Sequence, residues 1–242
     1  MREILIFGGS GLLGSNYIFH KNSKEIINFY NKKRASKVQN LKFNFNNIEK
    51  FIVKNKIRLL INFAGVSDVE KSEKNKKIAF NTNVKLPEKL ALICKSTKIK
   101  FVHISTDHFL SKEYPIKEVA KVTPCNYYSY TKLLSEKKIL KNNKNALVIR
   151  TNFFGSFTKN KSFLEKIKFL IKQKKKIYLW EDTFFNPVSI KFLIAVISKL
   201  VKKNAKGIFN VSSDKCISKY NFGLMVAKKY NLPDNCIIKS FK

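Results

Sequence analysis

The sequence predicts an α/β fold built on a doubly wound parallel sheet. Short apolar runs alternate with helical or polar segments, a glycine-rich turn follows the first apolar run directly, and neither repeats nor low-complexity linkers interrupt the pattern. The chain has 242 residues, of which 44% are hydrophobic, so it can bury a substantial core. One α/β domain with a smaller lobe fits this length.

Short apolar runs along the chain are predicted as strands. They are residues 3–7, 25–30, 41–43, 59–63, 100–105 and 146–150, followed more sparsely by 177–180 and 207–211. Such runs, separated by helical or polar segments, are typical of parallel βαβ units. Amphipathic helices are expected near residues 162–173, 190–202 and 219–230. This later part should form a lobe over the carboxyl edge of the sheet, where open parallel sheets bind their ligands.

A glycine-rich turn follows the first predicted strand. Gly8, Gly11 and Gly14 are evenly spaced, and a helical pattern that begins with Leu12 and Leu13 continues from the turn. A dinucleotide pyrophosphate site needs such glycines for a tight turn, for close approach of the backbone to the phosphates, and for packing of helix on strand. The N–H groups and partial positive charge of the helix N-terminus favour an anion there. The spacing therefore predicts dinucleotide binding rather than a plain turn.

The formal charge is +33, from 49 lysines and arginines against 16 acidic residues. The excess is spread from end to end and is nearly all lysine, which indicates a solvated surface rather than a localised nucleic-acid interface. Such a surface attracts polyanions weakly and suits a substrate that carries a diphosphate. We therefore expect no specific nucleic-acid partner.

The pattern also bears on compartment and metal content. No apolar run approaches the roughly 20 residues that a membrane helix requires, and the chain begins with strand-like residues rather than a signal peptide. A cytoplasmic protein without a membrane partner is expected. Cys94, Cys125, Cys216 and Cys236 lack metal-ligand spacing and are expected to be reduced thiols. No metal site is predicted.

Two later segments carry candidate chemistry. Ser105 and Thr106 stand at the end of the fifth predicted strand, and Tyr128 and Lys132 share a face of a predicted helix. A lysine ammonium beside a phenol favours phenolate, which lowers the pKa of tyrosine from its usual value of about 10. That pairing predicts a general acid or base. Chance pairs are common in so lysine-rich a chain, so the order of the segments behind the glycine turn carries the argument.

Motifs over nearly the whole chain resemble one superfamily. They are INFAGVSDVEKSE, FNTNVKLPEKLA, HISTDHF, PCNYYSYTKLLSE, IRTNFFG, WEDTFFNPVS and GIFNVSSDKCISKYNFG. On these segments the chain resembles the extended short-chain dehydrogenases/reductases, and within them the dTDP-4-dehydrorhamnose reductase family of RmlD-like sugar-nucleotide-binding proteins. The resemblance implies a Rossmann-type NAD(P)-binding domain over residues 1–152. Residues 153–242 would mainly bind substrate, with about 177–212 packing back on the sheet.

The resemblance also implies site roles and a reaction. Tyr128 would donate a proton, Lys132 would tune it and hold the nicotinamide ribose, and Thr106 would hydrogen-bond the substrate oxygen. The implied reaction reduces the 4-keto group of a nucleotide-linked 6-deoxyhexose, in dTDP-L-rhamnose and surface polysaccharide synthesis. Further cofactor contacts are expected at Phe63, Ala64, Gly65, Asn83 and Ser105, and substrate contacts at Asp107, His108, Phe109 and Phe153. A helix N-cap is an equal alternative for Asn83.

The residues after the second and third predicted strands bear on cofactor choice. An acid after the second strand would bind a free ribose 2′-hydroxyl and repel a 2′-phosphate. Asn31, Lys32 and Arg34 stand there instead, so NADPH is expected in preference to NADH. Asn44 and Phe45 follow the third strand, where the resemblance implies contact with adenine.

Departures from the family pattern keep alternatives open. His108, Phe153 and Thr183 replace a tyrosine, a tryptophan and a glutamine where the family reads the sugar, so the sugar's identity stays open. The chain stops at Lys242, before an Arg-Pro-containing tail typical of the family, which is expected to reflect either a trimmed subfamily or an incomplete chain. A homodimer is also left open.

Three other functions are alternatives to reduction. A sugar-nucleotide dehydratase is disfavoured, because His108 stands where it would carry a glutamate. A related epimerase shares the Tyr128 and Lys132 chemistry and ranks below reduction. A non-catalytic NADP-binding regulatory subunit, like the β subunit of methionine adenosyltransferase, can keep the same residues and remains the alternative from a different class.

Overall fold

A computed structural model describes residues 3–21, 23–30, 33–42, 44–112, 115–158 and 162–242. Within these residues, seven parallel strands form the main sheet. In chain order they are β1 (Ile4–Phe7), β2 (Ile26–Tyr30), β3 (Gln39–Lys42), β4 (Leu59–Asn62), β5 (Lys100–Ile104), β8 (Leu147–Thr151) and β13 (Gly207–Val211). Shorter pairs include β6 (Phe109–Leu110) with β7 (Thr123–Pro124), and β9 (Phe153–Phe154) with β12 (Val188–Ser189).

The strand order is β13-β8-β5-β4-β1-β2-β3. The chain runs outward from β1 in one direction and then returns to build the other half from β4, so the order reverses between β1 and β4. This arrangement confirms the predicted doubly wound, Rossmann-type sheet, whose ligand crevice lies beyond the carboxyl ends of the strands at the reversal. The observed strands lie close to the predicted ones, although β3 begins earlier, at Gln39, and predicted residue 43 lies outside the described residues.

Helices cover both faces of the sheet. They are α1 (Leu12–His20), α2 (Ile48–Lys54), α3 (Val69–Lys74), α4 (Lys76–Phe80), a π-helical turn (Asn81–Lys85), α5 (Leu86–Ser96), α6 (Tyr127–Asn142) and α8 (Ile190–Lys202). The alternation of side chains along a strand feeds two cores. Ile6 packs with residues of α1 and α8, whereas Leu5 and Phe7 pack with residues of α2, α5 and α6.

The two strands predicted beyond residue 150 have different partners. Gly207–Val211 pairs with β8 and becomes an edge of the main sheet. Ile177–Trp180 (β10) instead pairs with β15 (Ile237–Ser240) in a separate two-stranded sheet. The outer edge of β13 is covered, since Asn210 N donates to Glu118 Oε1 at 2.9 Å and Asn210 Nδ2 donates to Ile116 O at 2.8 Å. Covering an edge in this way protects it from pairing with another chain.

A third core lies in the later part of the chain. It is formed by α7 (Phe163–Lys172), α9 (Lys219–Lys229), β10, β15 and the pair β11 (Phe184–Phe185) and β14 (Ile217–Ser218). Phe222 is fully buried at its centre, with the rings of Phe154, Phe163 and Phe185 around it at centroid distances of 5.3, 5.8 and 5.3 Å. None of the helices in the described residues is long and apolar enough to cross a membrane.

Candidate functional site

The glycine turn after β1 is packed tightly against the segment that follows β4. Gly8 has φ +82°, a left-handed conformation that favours glycine, and a Cβ there would lie 2.5 Å from Ala64 N. A Cβ at Gly14 would collide with Gly8 O, so α1 can begin this close to the turn only with glycine. Gly11 N closes the turn by donating to Gly8 O at 3.0 Å. The structure therefore uses these glycines for the tight turn and close packing that the spacing predicts.

The N-terminus of α1 suits an anion. Gly11 is the N-cap, and among the described residues no side chain caps the helix and its first turn has no acid. A Cβ on Gly11 would lie 3.2 Å from Gly8 O, so a larger residue would crowd the turn. Leu13 is buried in the core and Leu12 packs against that core, which leaves their backbone N–H groups as the groups a ligand can use.

Asn28 is a supporting residue that the sequence analysis missed. It lies in β2 with 1% of its surface exposed, and its Oδ1 accepts a hydrogen bond from Gly9 N at 3.1 Å. Its Nδ2 donates to Asn40 Oδ1 at 2.8 Å, and Asn40 Oδ1 also accepts from Ala35 N. The polar network thus ties the glycine turn to β2 and β3. The available signal was an asparagine inside an apolar strand, since a buried amide needs partners.

The residues expected to choose the cofactor are only partly described. Asn31 and Lys32 lie outside the described residues. Arg34 is exposed, its Nε donates to the Tyr30 hydroxyl at 3.2 Å, and its guanidinium lies 5.4 Å from the centre of that ring. A cation is therefore held beside the carboxyl end of β2.

The expected adenine contacts have local partners in the structure. Asn44 Oδ1 accepts from Asn46 N at 3.0 Å and so caps a short 3₁₀ turn, Phe45–Asn47. The Phe45 ring is half-buried against the second core and has Lys89 Nζ 4.8 Å from its centre. Both residues lie just beyond β3, on the side of the sheet that α5 covers.

Asn83 braces the segment that follows β4. Its Oδ1 accepts from Val66 N at 2.8 Å, and its Nδ2 donates to Val66 O at 3.1 Å and to Thr131 Oγ1 at 3.0 Å. Phe63, Ala64 and Gly65 are thereby held between the glycine turn and α6. The N-cap alternative for Asn83 is wrong, because the residue lies inside the π-helical turn rather than at the start of a helix.

Tyr128 and Lys132 lie in the first turns of α6, as predicted. Asn126 begins the helix with a capping box, in which its side chain accepts from Ser129 N and the Ser129 side chain accepts from Asn126 N. Lys132 is buried, and its ammonium donates to Ile104 O at 2.6 Å and lies 3.2 Å from His103 Nε2. The α6 cap and the end of β5 therefore place both residues beside the carboxyl edge of the sheet.

The protonation of Tyr128 differs from the prediction. Burial, together with the nearby Asp107 carboxylate, raises its pKa to about 12, against the effect of a hydrogen bond with the Thr106 side chain. The expected lowering by Lys132 is wrong for this arrangement, because the ammonium is directed at Ile104 O and His103. Burial also lowers the pKa of Lys132 to about 8, with the carboxylate of Glu136 opposing it. Tyr128 is therefore a neutral phenol at pH 7, a form that can donate a proton.

Asp107 faces a cation that the sequence analysis missed. Burial raises the pKa of Asp107 to about 6, opposed by the positive charge of Lys219 and a hydrogen bond with the Asn152 side chain. Lys219 begins α9, and burial lowers its pKa to about 8 while Asp107 raises it. The sequence analysis did not single out either of the side chains that act on Asp107, namely Lys219 and Asn152. Lys219 is one of 49 basic residues, and its electrostatic interaction with Asp107 joins distant parts of the chain.

The other predicted substrate residues, His108, Phe153 and Phe109, differ in their exposure and in their contacts. His108 is exposed beside Asp107, and partial burial, Lys242 and Lys219 lower the pKa of its imidazole. Phe153 is half-buried in β9 against the first core. Phe109 is only 8% exposed, pairs through β6 with β7, and packs beneath the Arg150 guanidinium, 5.2 Å from the ring centre. Phe109 is therefore held by packing in the structure, and its substrate contact stays a prediction.

A buried ion pair joins α6 to β8. Arg150 Nη2 lies 2.7 Å from Glu136 Oε2, and the two side chains are 5% and 2% exposed. Ser105 Oγ donates to Glu136 Oε1, so the predicted cofactor residue Ser105 is bound to α6 through its hydroxyl. Across the described residues, His, Cys, Asp and Glu do not assemble into a group of three or more that could hold a metal ion.

Comparison with known proteins identifies the family. The profile of the RmlD substrate binding domain family matches residues 1–239. The chain belongs to the RmlD substrate binding domain family. The similar proteins described below have low sequence identity to this chain, and they share its fold.

Three curated relatives are similar to this chain at low identity. A probable low-salt glycan biosynthesis reductase of Haloferax volcanii is 25% identical over 69% of this chain and 58% of the relative. A dTDP-4-dehydrorhamnose reductase of Mycobacterium tuberculosis is 22% identical over 67% of this chain and 56% of the relative. The chain thus spans little more than half the length of these two. A methionine adenosyltransferase 2 subunit beta of Bos taurus is 24% identical over 97% of this chain and 74% of the relative.

Solved structures share the whole fold. A hypothetical dTDP-4-dehydrorhamnose reductase from Sulfolobus tokodaii is 29% identical, with a TM-score of 0.86 over 99% of this chain and 86% of that one. A dTDP-4-dehydrorhamnose reductase from Bacillus anthracis in complex with NADP is 20% identical, with a TM-score of 0.84 over 100% of this chain and 85% of that one. The RmlD-family sheet and the later core therefore recur together in these proteins.

Proposed function

We propose that this RmlD-family protein uses a nicotinamide cofactor to reduce the 4-keto group of a nucleotide-linked 6-deoxyhexose. One observation carries the proposal. A neutral Tyr128 phenol lies beside Thr106, with Lys132 one helical turn away, at the sheet edge that also carries the glycine turn. A proton donor and an anion site at one edge of the sheet are what hydride reduction of a carbonyl requires.

The residues of the glycine turn fit a dinucleotide. The N-terminus of α1 would hold the pyrophosphate at Gly11, Leu12 and Leu13, because the first N–H groups of a helix favour an anion and no side chain among the described residues caps this helix. Arg34 would bind a 2′-phosphate, so NADPH is proposed as the preferred cofactor and NADH as the weaker one. Phe63, Ala64, Gly65 and Ser105 would line the nicotinamide side, and Asn44 and Phe45 the adenine side.

Proton transfer is the part of the reaction that this chain's own residues perform. When bound, the cofactor supplies the hydride that reduces the carbonyl carbon. The Tyr128 hydroxyl would give its proton to the oxygen of that carbonyl, which becomes a hydroxyl, and the Thr106 hydroxyl would hold the same oxygen in line. The Lys132 ammonium, which Ile104 O holds in place, would bind the nicotinamide ribose, as the resemblance implies. In this assignment Asn83 positions the 63–66 segment.

The substrate assignment draws on the relatives. Sugar-nucleotide reductases of the family include one whose name is dTDP-4-dehydrorhamnose reductase, and a structural neighbour of that name binds NADP. We therefore place the reaction in dTDP-L-rhamnose and surface polysaccharide synthesis. Residues 153–242 would supply most of the sugar-binding lobe, with Asp107, His108 and Phe153 facing the substrate.

One observation supports a second candidate function. The methionine adenosyltransferase subunit matches almost the whole chain, at 24% identity over 97% of it. A regulatory subunit of that kind would bind NADP and a partner enzyme without turnover. The two functions therefore differ in whether a ketosugar is reduced.

Turnover tests the proposal directly. NADPH absorbance is followed with dTDP-4-dehydro-6-deoxy-L-mannose made in place by the upstream enzymes, with NADH as the comparison. Tyr128→Phe should lower kcat by about 10² to 10⁴, the usual contribution of a positioned acid, while NADPH binding persists. Tyr130→Phe is the matched control, because Tyr130 lies on the same helix and is 44% exposed.

Two results of that assay would count against the proposal. Full activity of Tyr128→Phe would refute the assigned proton donor. NADPH binding without oxidation by the wild type, with any ketosugar tried, would favour the regulatory function.

A further inference from the structure

Lys219 occupies an aromatic site at the start of α9. Its ammonium lies 3.3 Å from the centre of the Phe185 ring and 5.0 Å from the centre of the Phe163 ring. Its backbone N donates to Thr183 O at 3.0 Å, and Ser218 caps the helix one residue earlier by accepting from Asn221 N. Two rings and a helix start therefore hold this cation in one place, half-buried.

Among the described residues, the Lys219 ammonium has no carboxylate within 4.0 Å. Asp107 acts on it from a greater distance, through charge alone. Desolvating an ammonium without a close counter-ion costs free energy, and an anion bound beside Lys219 would offset that cost.

Lys219 is linked to the Tyr128 site through Asp107. The Asp107 carboxylate acts on the charges of both Tyr128 and Lys219 and hydrogen-bonds the Asn152 side chain, so these side chains lie near one another. Thr106 lies in the same place, since its side chain hydrogen-bonds Tyr128. A substrate that reaches Tyr128 therefore passes within range of the Lys219 charge.

We propose that Lys219 binds an anionic group of the substrate, a phosphate or carboxylate oxygen, across the cleft from Tyr128. The inference rests on the proposed function, because it assumes that the substrate lies at Tyr128. In the proposed 6-deoxyhexose substrate the diphosphate of the nucleotide supplies this chemistry, whereas a sugar carboxylate would supply it only in a sugar nucleotide that carries a uronic acid. Phe163 and Phe185 give the ammonium a fixed position, so it selects substrates by where their negative charge lies.

Binding to the full chain in the presence of NADPH tests this inference without requiring turnover. Calorimetric titrations compare dTDP, UDP-glucose and UDP-glucuronic acid, the last two of which differ only in the sugar carboxylate. Lys219→Gln removes the charge, Lys219→Arg retains it, and Lys229→Gln is the control, an exposed lysine on the same helix. Thermal unfolding of each variant shows whether α9 remains packed.

The expected result is a loss of affinity of about tenfold to one hundredfold in Lys219→Gln, with most of it restored in Lys219→Arg. An equal loss for dTDP and both sugar nucleotides supports the diphosphate as the ligand. A loss confined to UDP-glucuronic acid supports the carboxylate. Unchanged affinity in Lys219→Gln, an equal loss in Lys229→Gln, or no binding of these anions by the wild type would overturn the proposal. Absence of NADPH oxidation with intact, Lys219-dependent binding would count against the proposed function alone.

Discussion

Glutamine at position 136 would remove the charge of the buried ion pair while conserving the volume of the side chain. Arg150 Nε donates to both Glu136 oxygens at 3.1 Å, and Arg150 Nη2 donates to one of them at 2.7 Å. The two side chains are 5% and 2% exposed, so water cannot replace the lost carboxylate. Glu136→Gln therefore leaves a guanidinium buried without its counter-charge.

The size of the effect follows from that burial. Removing one partner of a buried pair costs about 3–5 kcal/mol of unfolding free energy. For a chain of this size each kcal/mol lowers Tm by roughly 2–4 °C, so Tm should fall by about 6–20 °C. The exposed pair of Arg58 and Glu3, 3.9 Å apart with side chains 77% and 38% exposed, provides the matched control. Glu3→Gln should cost about 0–1 kcal/mol.

Thermal and urea unfolding of the three proteins measure the difference. A combined Glu136→Leu and Arg150→Met variant should recover much of the stability, because replacing both partners removes the buried charge instead of stranding it. If Glu136→Gln cost no more than Glu3→Gln, the ion pair would not stabilise the fold and the reasoning from its burial would be refuted.

Three further predictions concern the candidate site. Gly11→Val should abolish NADPH binding in a fluorescence titration with the sheet still folded by circular dichroism, because its side chain would crowd Gly8 O and the turn that approaches the phosphates. Wild-type affinity would show that the phosphates bind elsewhere. Arg34→Ala should weaken NADPH binding about tenfold and leave NADH unchanged, since only NADPH carries a 2′-phosphate; equal losses for both cofactors would remove Arg34 from that role. Asp107→Asn should unfold at a higher temperature than the wild type above pH 6 and at the same temperature below about pH 4. Burial raises the pKa of Asp107 to about 6 in the folded state, against about 3.9 in the unfolded chain, so the carboxylate destabilises the fold only at the higher pH. A difference that persisted at low pH would exclude titration of Asp107 as its cause.

Local pattern was enough to predict the sheet and the glycine turn. Strands such as Ile4–Phe7 are predicted from short apolar runs, because both faces of a parallel sheet are buried. Gly8 and Gly14 are required by backbone geometry within a few residues, which the spacing records directly. Tyr128 and Lys132 share a helix face for the same local reason.

Contacts between distant segments decided the rest. Asn28 supports Gly9, and Asn83 joins the segment after β4 to α6, across sequence separations of 19 and 48 residues. Gly207–Val211 becomes the outermost strand of the main sheet only because it pairs with β8.

The charge states at the site show the same division. The sequence by itself determined that a phenol and an ammonium lie on one face of α6, because that depends on helix periodicity alone. Only the tertiary structure decided that burial and Asp107 raise the pKa of Tyr128, and that Lys219 faces Asp107 from another part of the chain. Helix and strand periods are properties of neighbouring residues, whereas burial and the field of distant charges exist only after the chain has packed.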